Sequence, residues 1–270
     1  FDDQMITGCY YLVMNTDERH RHIGALLRHR EHVSVDELMA ACAASGATIR
    51  RDLDVLASHG VLRRVHGGAI SLLLQGENPG YGQRELEEHA AKVRIAAAVA
   101  AMLKDRGRVW LDSGTTATEI ARQLQQRDMT IMPMSLRAVS ELTAGQVQSG
   151  RRPELLLPGG SLAPGELSFR GPMAESNIRS LRFDTAVLTP CALDLRDGLL
   201  AHDLEDAAVK RAGLESAARV IVACSGSKWN ASAMALVAPL DAVDAVVTDK
   251  ALSPDELALL AQNSVEAVIV

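Results

Sequence analysis

The stretch TIRRDLDVLASHGVLRRVHGGA, Thr48–Ala69, sets adjacent arginines on one short element and two more just beyond it. Ile49, Leu53 and Leu56 recur at i, i+4 and i+7, the spacing of a helix with one apolar stripe, which turns Ala47, Arg50, Arg51, Asp54 and Ser58 outward. Gly60 stops that helix. Val61, Leu62 and Val65 then alternate with Arg63, Arg64 and His66 before Gly67-Gly68, the pattern of a small β wing. A guanidinium fork bonds guanine O6 and N7 together or grips a phosphate, so a stiff helix carrying Arg50 and Arg51 beside a basic hairpin suits double-stranded DNA. The plainer alternative is that these arginines solvate the helix and pair with Asp52 and Asp54.

Upstream, two more helices complete a three-helix reader. The first has Ile23, Leu26 and Leu27 at helical spacing with Thr16 as its expected N-cap. The second opens on a capping box, Ser34 with Glu37 three residues on, and turns Val35, Leu38 and Met39 inward. A four-residue AASG turn leads to the third helix, which starts near Ser45, so the order is that of a helix-turn-helix. Thr48 sits early enough to touch a backbone oxygen or a thymine methyl. The expected DNA contacts are Ser45, Thr48, Arg50, Arg51, Arg63, Arg64 and His66.

The chain has 270 residues, 47% of them hydrophobic, enough for two domains. Its net charge of −6 argues against a uniformly basic coat, but the average hides a contrast. Residues 16–70 hold eight arginines against seven carboxylates, a charge of +1, and six of the eight histidines, while the remainder carries −7. Cys9, Cys42, Cys191 and Cys224 are scattered without metal-ligand spacing, so reduced thiols are expected and neither a metal nor another cofactor is indicated. No apolar run approaches the ~20 residues of a membrane span and the first residues lack signal-peptide order, which predicts a cytoplasmic protein with no membrane contact. Residues 1–15 have no helical period and read as an N-terminal extension, disordered or foreign to the native chain.

Val33–Ala69 closely resembles the winged helix-turn-helix of the DeoR family of bacterial transcriptional regulators, which has a T-I-R-R-D-L stretch and an R-x-H-G-G-A stretch at this spacing. Two motifs in order over about forty residues are far more specific than a lone helix-turn-helix pattern.

A turn-rich stretch around GENPGYG marks a linker at residues 71–82, between a DNA-binding domain at 16–70 and a larger domain at 83–270. In the larger domain a helix through AAKVRIAAAVAAML precedes strands at GRVWLD, MTIMPM, PELLLPG, FDTAVLTP, ARVIVAC, AVDAVVTD and VEAVIV, with helices between most of them. This order predicts an α/β fold, a largely parallel sheet covered on both faces, with ligands at the carboxyl ends of its strands. The strand ending at Asp112 runs through Ser113-Gly114-Thr115-Thr116 into a helix, where free N–H groups, the helix dipole and hydroxyls converge in a way that suits a phosphate, although an ordinary capped turn has the same sequence. Ser135, Gly159, Gly160, Asp194 and Lys228 follow other strands, and Lys210 is a further cation.

The resemblance continues here through LDSGTT, LLPGGSL, VKRA and GSKW. It implies an effector domain of a fold similar to ribose-phosphate isomerases and coenzyme A transferases, binding a phosphorylated sugar or related metabolite. Residue by residue it implies effector roles for Asp112, Gly114, Thr115, Thr116, Ser135, Gly159, Gly160, Lys210 and Lys228. Three departures bear on the non-phosphate part of the ligand: Pro133-Met134-Ser135 stands for Thr-Asn-Ser, Cys191-Ala192-Leu193-Asp194 for Asn-Gly-Ile-Asp, and Ser225 for an Asp before the lysine. The expected protein is a sequence-specific repressor of a carbohydrate operon, working as a homo-oligomer of two subunits or more. A sugar-phosphate isomerase or transferase fused to a DNA reader is the alternative, with Asp112, Asp194, Glu205 and Lys210 as acid/base groups, but these residues form no recognisable dyad in sequence.

Overall fold

Asn15 rather than Thr16 caps the first helix: its side chain accepts from the Glu18 amide while Glu18 returns a bond to the Asn15 amide. Asn is as good a cap as Thr or better, and the reciprocal bond with Glu18 at N3 decides between the neighbours. The computed structural model describes residues 14–72, 80–144 and 152–270, so nearly all of the expected N-terminal extension, and 73–79 of the expected linker, lie outside the described residues. The chain divides into two units, Phe1–Glu87 and Glu88–Val270.

In the first unit, α1 (Thr16–His29), β1 (His32–Ser34), α2 (Val35–Cys42), α3 (Gly46–Ser58), β2 (Leu62–Val65), β3 (Gly68–Ser71) and α4 (Tyr81–Leu86) follow in order. Ser34 and Glu37 form the expected capping box, and Ser45 caps α3. Ile23, Leu38, Ile49, Leu53 and Leu56 meet in one core, which confirms the apolar stripe read from the sequence. The wing has three strands, ordered β1-β3-β2, with its tight turn at His66-Gly67. The sequence reading missed β1, whose Val33 pairs with Ala69. That pairing explains Gly68: a Cβ there would lie 2.3 Å from the Val33 carbonyl oxygen. The boundary falls later than the turn-rich stretch suggested, because Tyr81, Gly82 and Gln83 are buried in α4 and Leu86 packs on this same core.

The second unit contains α5 (His89–Met102), β4 (Arg108–Leu111), α6 (Thr115–Leu124), β5 (Thr130–Pro133), α7 (Leu136–Ala144), β6 (Glu154–Leu155), β7 (Ser161–Leu162), β8 (Phe169–Arg170), α8 (Pro172–Arg179), β9 (Thr185–Leu188), β10 (Ala192–Asp194), β11 (Gly198–Ala201), α9 (Leu204–Glu215), β12 (Val220–Ala223), β13 (Ala235–Ala238), β14 (Ala245–Thr248), α10 (Pro254–Gln262) and β15 (Glu266–Ile269). The seven strands expected from sequence are the seven of the main sheet, ordered β15-β14-β12-β9-β4-β5-β6 and parallel at every pair. Their side chains alternate between two cores: Val109, Leu111, Ile131, Val187 and Ile221 pack with residues of α5 and α6, while Trp110, Met132, Ala186, Leu188 and Val222 pack with Ile178 of α8 and Ala207 and Val209 of α9. A small antiparallel sheet, β10-β11-β13, was not foreseen; its strands are short and joined by a tight hairpin and a long connection.

The chain runs outward from β4 to β5 and β6, then returns to the other side of β4 at β9 and runs outward again through β12, β14 and β15. The reversal makes the gap between β4 and β9 a topological switch point, where open parallel sheets bind ligands beyond the carboxyl ends of their strands. Those ends are Asp112–Gly114 and Thr189-Pro190.

Candidate functional site

On α3, Arg50 and Arg51 are exposed, and among the described residues neither has an ion-pair partner. The alternative reading, that the arginines pair with Asp52 and Asp54, fails for Arg50 and Arg51 and, among the described residues, holds for Arg64 alone of the four, because both carboxylates are taken by other elements. Asp52, 4% exposed, receives Arg19 Nε at 2.8 Å and Nη2 at 3.1 Å from α1, with His20 Nε2 at 3.1 Å. Burial works against the Asp52 charge, but the Arg19 and His20 bonds outweigh it and hold the carboxyl below its usual range. Asp54 is taken by Arg64, whose Nη1 lies 2.7 Å from Asp54 Oδ1 and 3.1 Å from the Arg50 carbonyl. Arg64, expected as a DNA contact, thus ties the wing to α3 with part of its fork. Ser45 accepts the Thr48 amide and its hydroxyl meets the Thr48 hydroxyl at 2.9 Å, so its structural work is to cap. Arg63 and His66 are exposed on the wing.

At the switch point, Gly114 caps α6 with φ +100° and ψ 175°, a conformation open essentially to glycine, and among the described residues no side chain caps the helix. The first N–H groups of α6 therefore face outward from the β4 end with the positive end of the helix dipole behind them. Thr115 and Thr116 are buried in the first turn, and the Thr116 hydroxyl has no hydrogen-bond partner among the described residues. A buried orphan hydroxyl costs about 1–3 kcal/mol, so its presence beside free amides asks for an acceptor.

Asp112 and Lys210, both expected to touch an effector, are buried against each other. Lys210 Nζ lies 2.8 and 2.7 Å from the two Asp112 oxygens and 3.1 Å from Asp206 Oδ1, one turn back on α9. Burial opposes the ammonium charge, but the Asp112 and Asp206 carboxylates outweigh it and keep Lys210 protonated far above its ordinary range. Asp112 also accepts the Ser113 amide at 2.7 Å and the Thr189 amide at 2.9 Å, and the Thr189 hydroxyl donates to the Ser113 carbonyl. The pair is a strut that holds the Ser113–Thr116 turn between β4 and β9. Thr189 was missed because a Thr at a strand end carries no signal alone; Asp206 was legible as the i−4 neighbour of Lys210.

The remaining expected residues are dispersed. Lys228 reaches the switch point, with Nζ 2.9 Å from the Pro190 carbonyl just past β9. Cys191 follows, its thiol raised by burial and 3.8 Å from Asp206 Oδ2. Ser135 is fully buried and caps α7, accepting the Ala138 amide at 3.2 Å. Asp194 closes the β10–β11 hairpin: the amides of Asp197 and Arg196 donate to it and lower its carboxyl. Gly159 and Gly160 turn the chain into β7, and a Cβ on Gly160 would lie 2.4 Å from the Arg170 carbonyl oxygen. Asp194 and Ser135 thus have backbone roles that account for their residue types. Among the described residues no helix is long and apolar enough to cross a membrane.

A winged helix-turn-helix followed by a parallel α/β domain with an anion-ready turn at its switch point defines a DNA-binding transcriptional regulator with a small-molecule sensor. Residues 19–73 match the model of the DeoR-like helix-turn-helix domain and residues 87–250 that of the DeoR C terminal sensor domain, and the chain belongs to the DeoR family. It is 35% identical to the transcriptional repressor AccR of Agrobacterium fabrum over 237 residues, covering 87% of this chain and 90% of that one. It is 30% identical to the glycerol-3-phosphate regulon repressor of Escherichia coli, covering 87% and 92%. Among solved structures, ribose 5-phosphate isomerase A of Methanocaldococcus jannaschii shares 14% identity over 53% of this chain and 55% of that one, with a TM-score of 0.39. The family is one of DNA-binding transcriptional regulators and these two relatives are named repressors, not enzymes, so the fused-isomerase alternative is set aside.

Proposed function

We propose that the chain represses a carbohydrate-metabolism operon in the cytoplasm and that a phosphorylated sugar or related metabolite, its phosphoryl group seated on the Ser113–Thr116 turn, controls its grip on DNA. The observation that carries the effector reading is the uncapped α6 N-terminus at the switch point, with Gly114 at φ +100° and the Thr116 hydroxyl unpartnered. Lys228, reaching the same end of the sheet, is the cation that meets the ligand, while Asp112 and Lys210 hold the turn from below. A relative named for a glycerol-3-phosphate regulon supports a phosphate ester as the ligand class. Control requires that the ligand favour one conformation over another; moving a population from 1:99 to 99:1 takes about 5.5 kcal/mol of differential binding.

Thr116→Val tests this without disturbing the core, since it removes a hydroxyl that has no partner among the described residues. Calorimetry with glycerol 3-phosphate and glucose 6-phosphate is expected to show binding of at least one ester that Thr116→Val weakens roughly 10–100-fold, the value of a hydrogen bond to a charged group. The melting temperature should hold or rise. Full affinity in the variant for an ester that binds wild type would reduce the turn to a structural loop.

One winged helix offers a small footprint, and specific binding at physiological salt asks for two half-sites held by a symmetric particle. The proposed particle is therefore a homodimer or larger, on a repeated or palindromic operator. Light scattering at micromolar protein should give at least twice the 28.9 kDa chain mass; a monomer both free and on DNA would contradict it.

A further inference from the structure

The apolar stripe of α3 places the helix on its core, but apolar contact is non-directional and resists small rotations weakly. Reading bases demands more, because contacting side chains must be held within about 0.5 Å and 10–20° of their working geometry. Polar ties reach α3 from other elements. Asp52 is gripped by the bidentate Arg19 fork and by His20, both on α1, and Arg19 is itself anchored through Nη1 to the Met14 carbonyl at 2.9 Å. Asp54 is gripped from the wing by Arg64. At 3.6 residues per turn these two carboxylates point about 160° apart, so the ties hold the helix from nearly opposite sides. Asp52 immediately follows Arg51, and a bidentate bond fixes angle as well as distance.

We propose that Asp52 is a positioning residue for base reading: through Arg19 and His20 it fixes the rotation of α3, and with it the register in which Thr48, Arg50 and Arg51 meet the major groove. The inference rests on α3 being the reading helix. It gives the aspartate inside the TIRRDL stretch a role separate from DNA contact, since its carboxylate is buried and would repel phosphate.

The test uses the full chain, a duplex enriched by the wild-type protein from a random-sequence library, and a scrambled duplex of equal length. For Asp52→Asn the ratio of enriched to scrambled affinity is expected to fall at least tenfold, with scrambled affinity within threefold of wild type and an unchanged salt slope on it. His20→Gln leaves the Arg19 fork in place and should lower the ratio less, in the same direction; it carries the test if Asp52→Asn fails to fold. A ratio unchanged in folded variants, or both affinities falling together in step with the unfolded fraction, overturns the positioning role. If the wild type enriches no sequence, base reading by α3 fails and the positioning role with it; enrichment followed by an unchanged ratio removes the positioning role alone.

Discussion

Lys210→Met is expected to destabilise the sensor domain by about 3–5 kcal/mol, the loss typical when one partner of a buried ion pair is removed and the other charge stays behind. Lys210 and Asp112 are 2% and 1% exposed, and Lys210 brings the cation to Asp112, the Ser113 and Thr189 amides being neutral donors. Both tryptophans, Trp110 and Trp229, lie in residues 88–270, so denaturation followed by tryptophan fluorescence reports this domain alone. The double variant Asp112→Asn/Lys210→Met should recover only part of the loss: it leaves no buried charge, but the Ser113 and Thr189 amides bond different oxygens of Asp112 and the one oxygen of an asparagine keeps one of them. A loss under about 1 kcal/mol, with weakened effector binding, would mean that Lys210 acts as a ligand cation after all.

The second large effect is on DNA. Removing both exposed guanidiniums in Arg50→Ala/Arg51→Ala should lower affinity for the enriched duplex at least a hundredfold, at about 1–3 kcal/mol for each bidentate base contact. Binding to scrambled DNA should fall far less. Arg63→Ala, on the wing, should instead weaken all sequences alike and reduce the salt slope by about 1. Arg64→Ala is expected to combine the two, since its fork holds α3 through Asp54 and the Arg50 carbonyl. Anisotropy titrations on both duplexes at several salt concentrations separate these patterns, and unchanged affinity in the double variant would remove α3 as the reading helix.

The sequence carried the architecture well where periodicity is strong. The stripe Ile49, Leu53, Leu56 fixed α3, and seven apolar runs gave the seven parallel strands, because strands buried on both faces leave continuous apolar signatures. Short antiparallel pieces such as β1 and β10 escaped, being three residues long with too few positions to show alternation. For the site, the turn at Ser113–Thr116 was legible as a strand-to-helix junction with glycine. Which charged residues face a ligand and which face each other was not: Asp112 and Lys210 are 98 positions apart, and nothing local tells a strut from a ligand pair. Arg64 and Asp52 hid in the same way. An arginine serves DNA contact and internal pairing equally well, an aspartate pairs within its own helix or with another element, and tertiary geometry alone separates these uses.

The central claim, that a phosphoryl group on the α6 turn controls DNA binding, is tested most directly on the DNA complex itself. Full-length protein bound to the enriched duplex is titrated with glycerol 3-phosphate and glucose 6-phosphate, and in parallel with glycerol and glucose, on wild type and Thr116→Val. The expected result is that one phosphate ester shifts DNA affinity in wild type, that its dephosphorylated counterpart does not, and that Thr116→Val needs roughly 10–100-fold more ester for the same shift. An equal shift by ester and free alcohol, or an unaltered ester response in Thr116→Val, would contradict it.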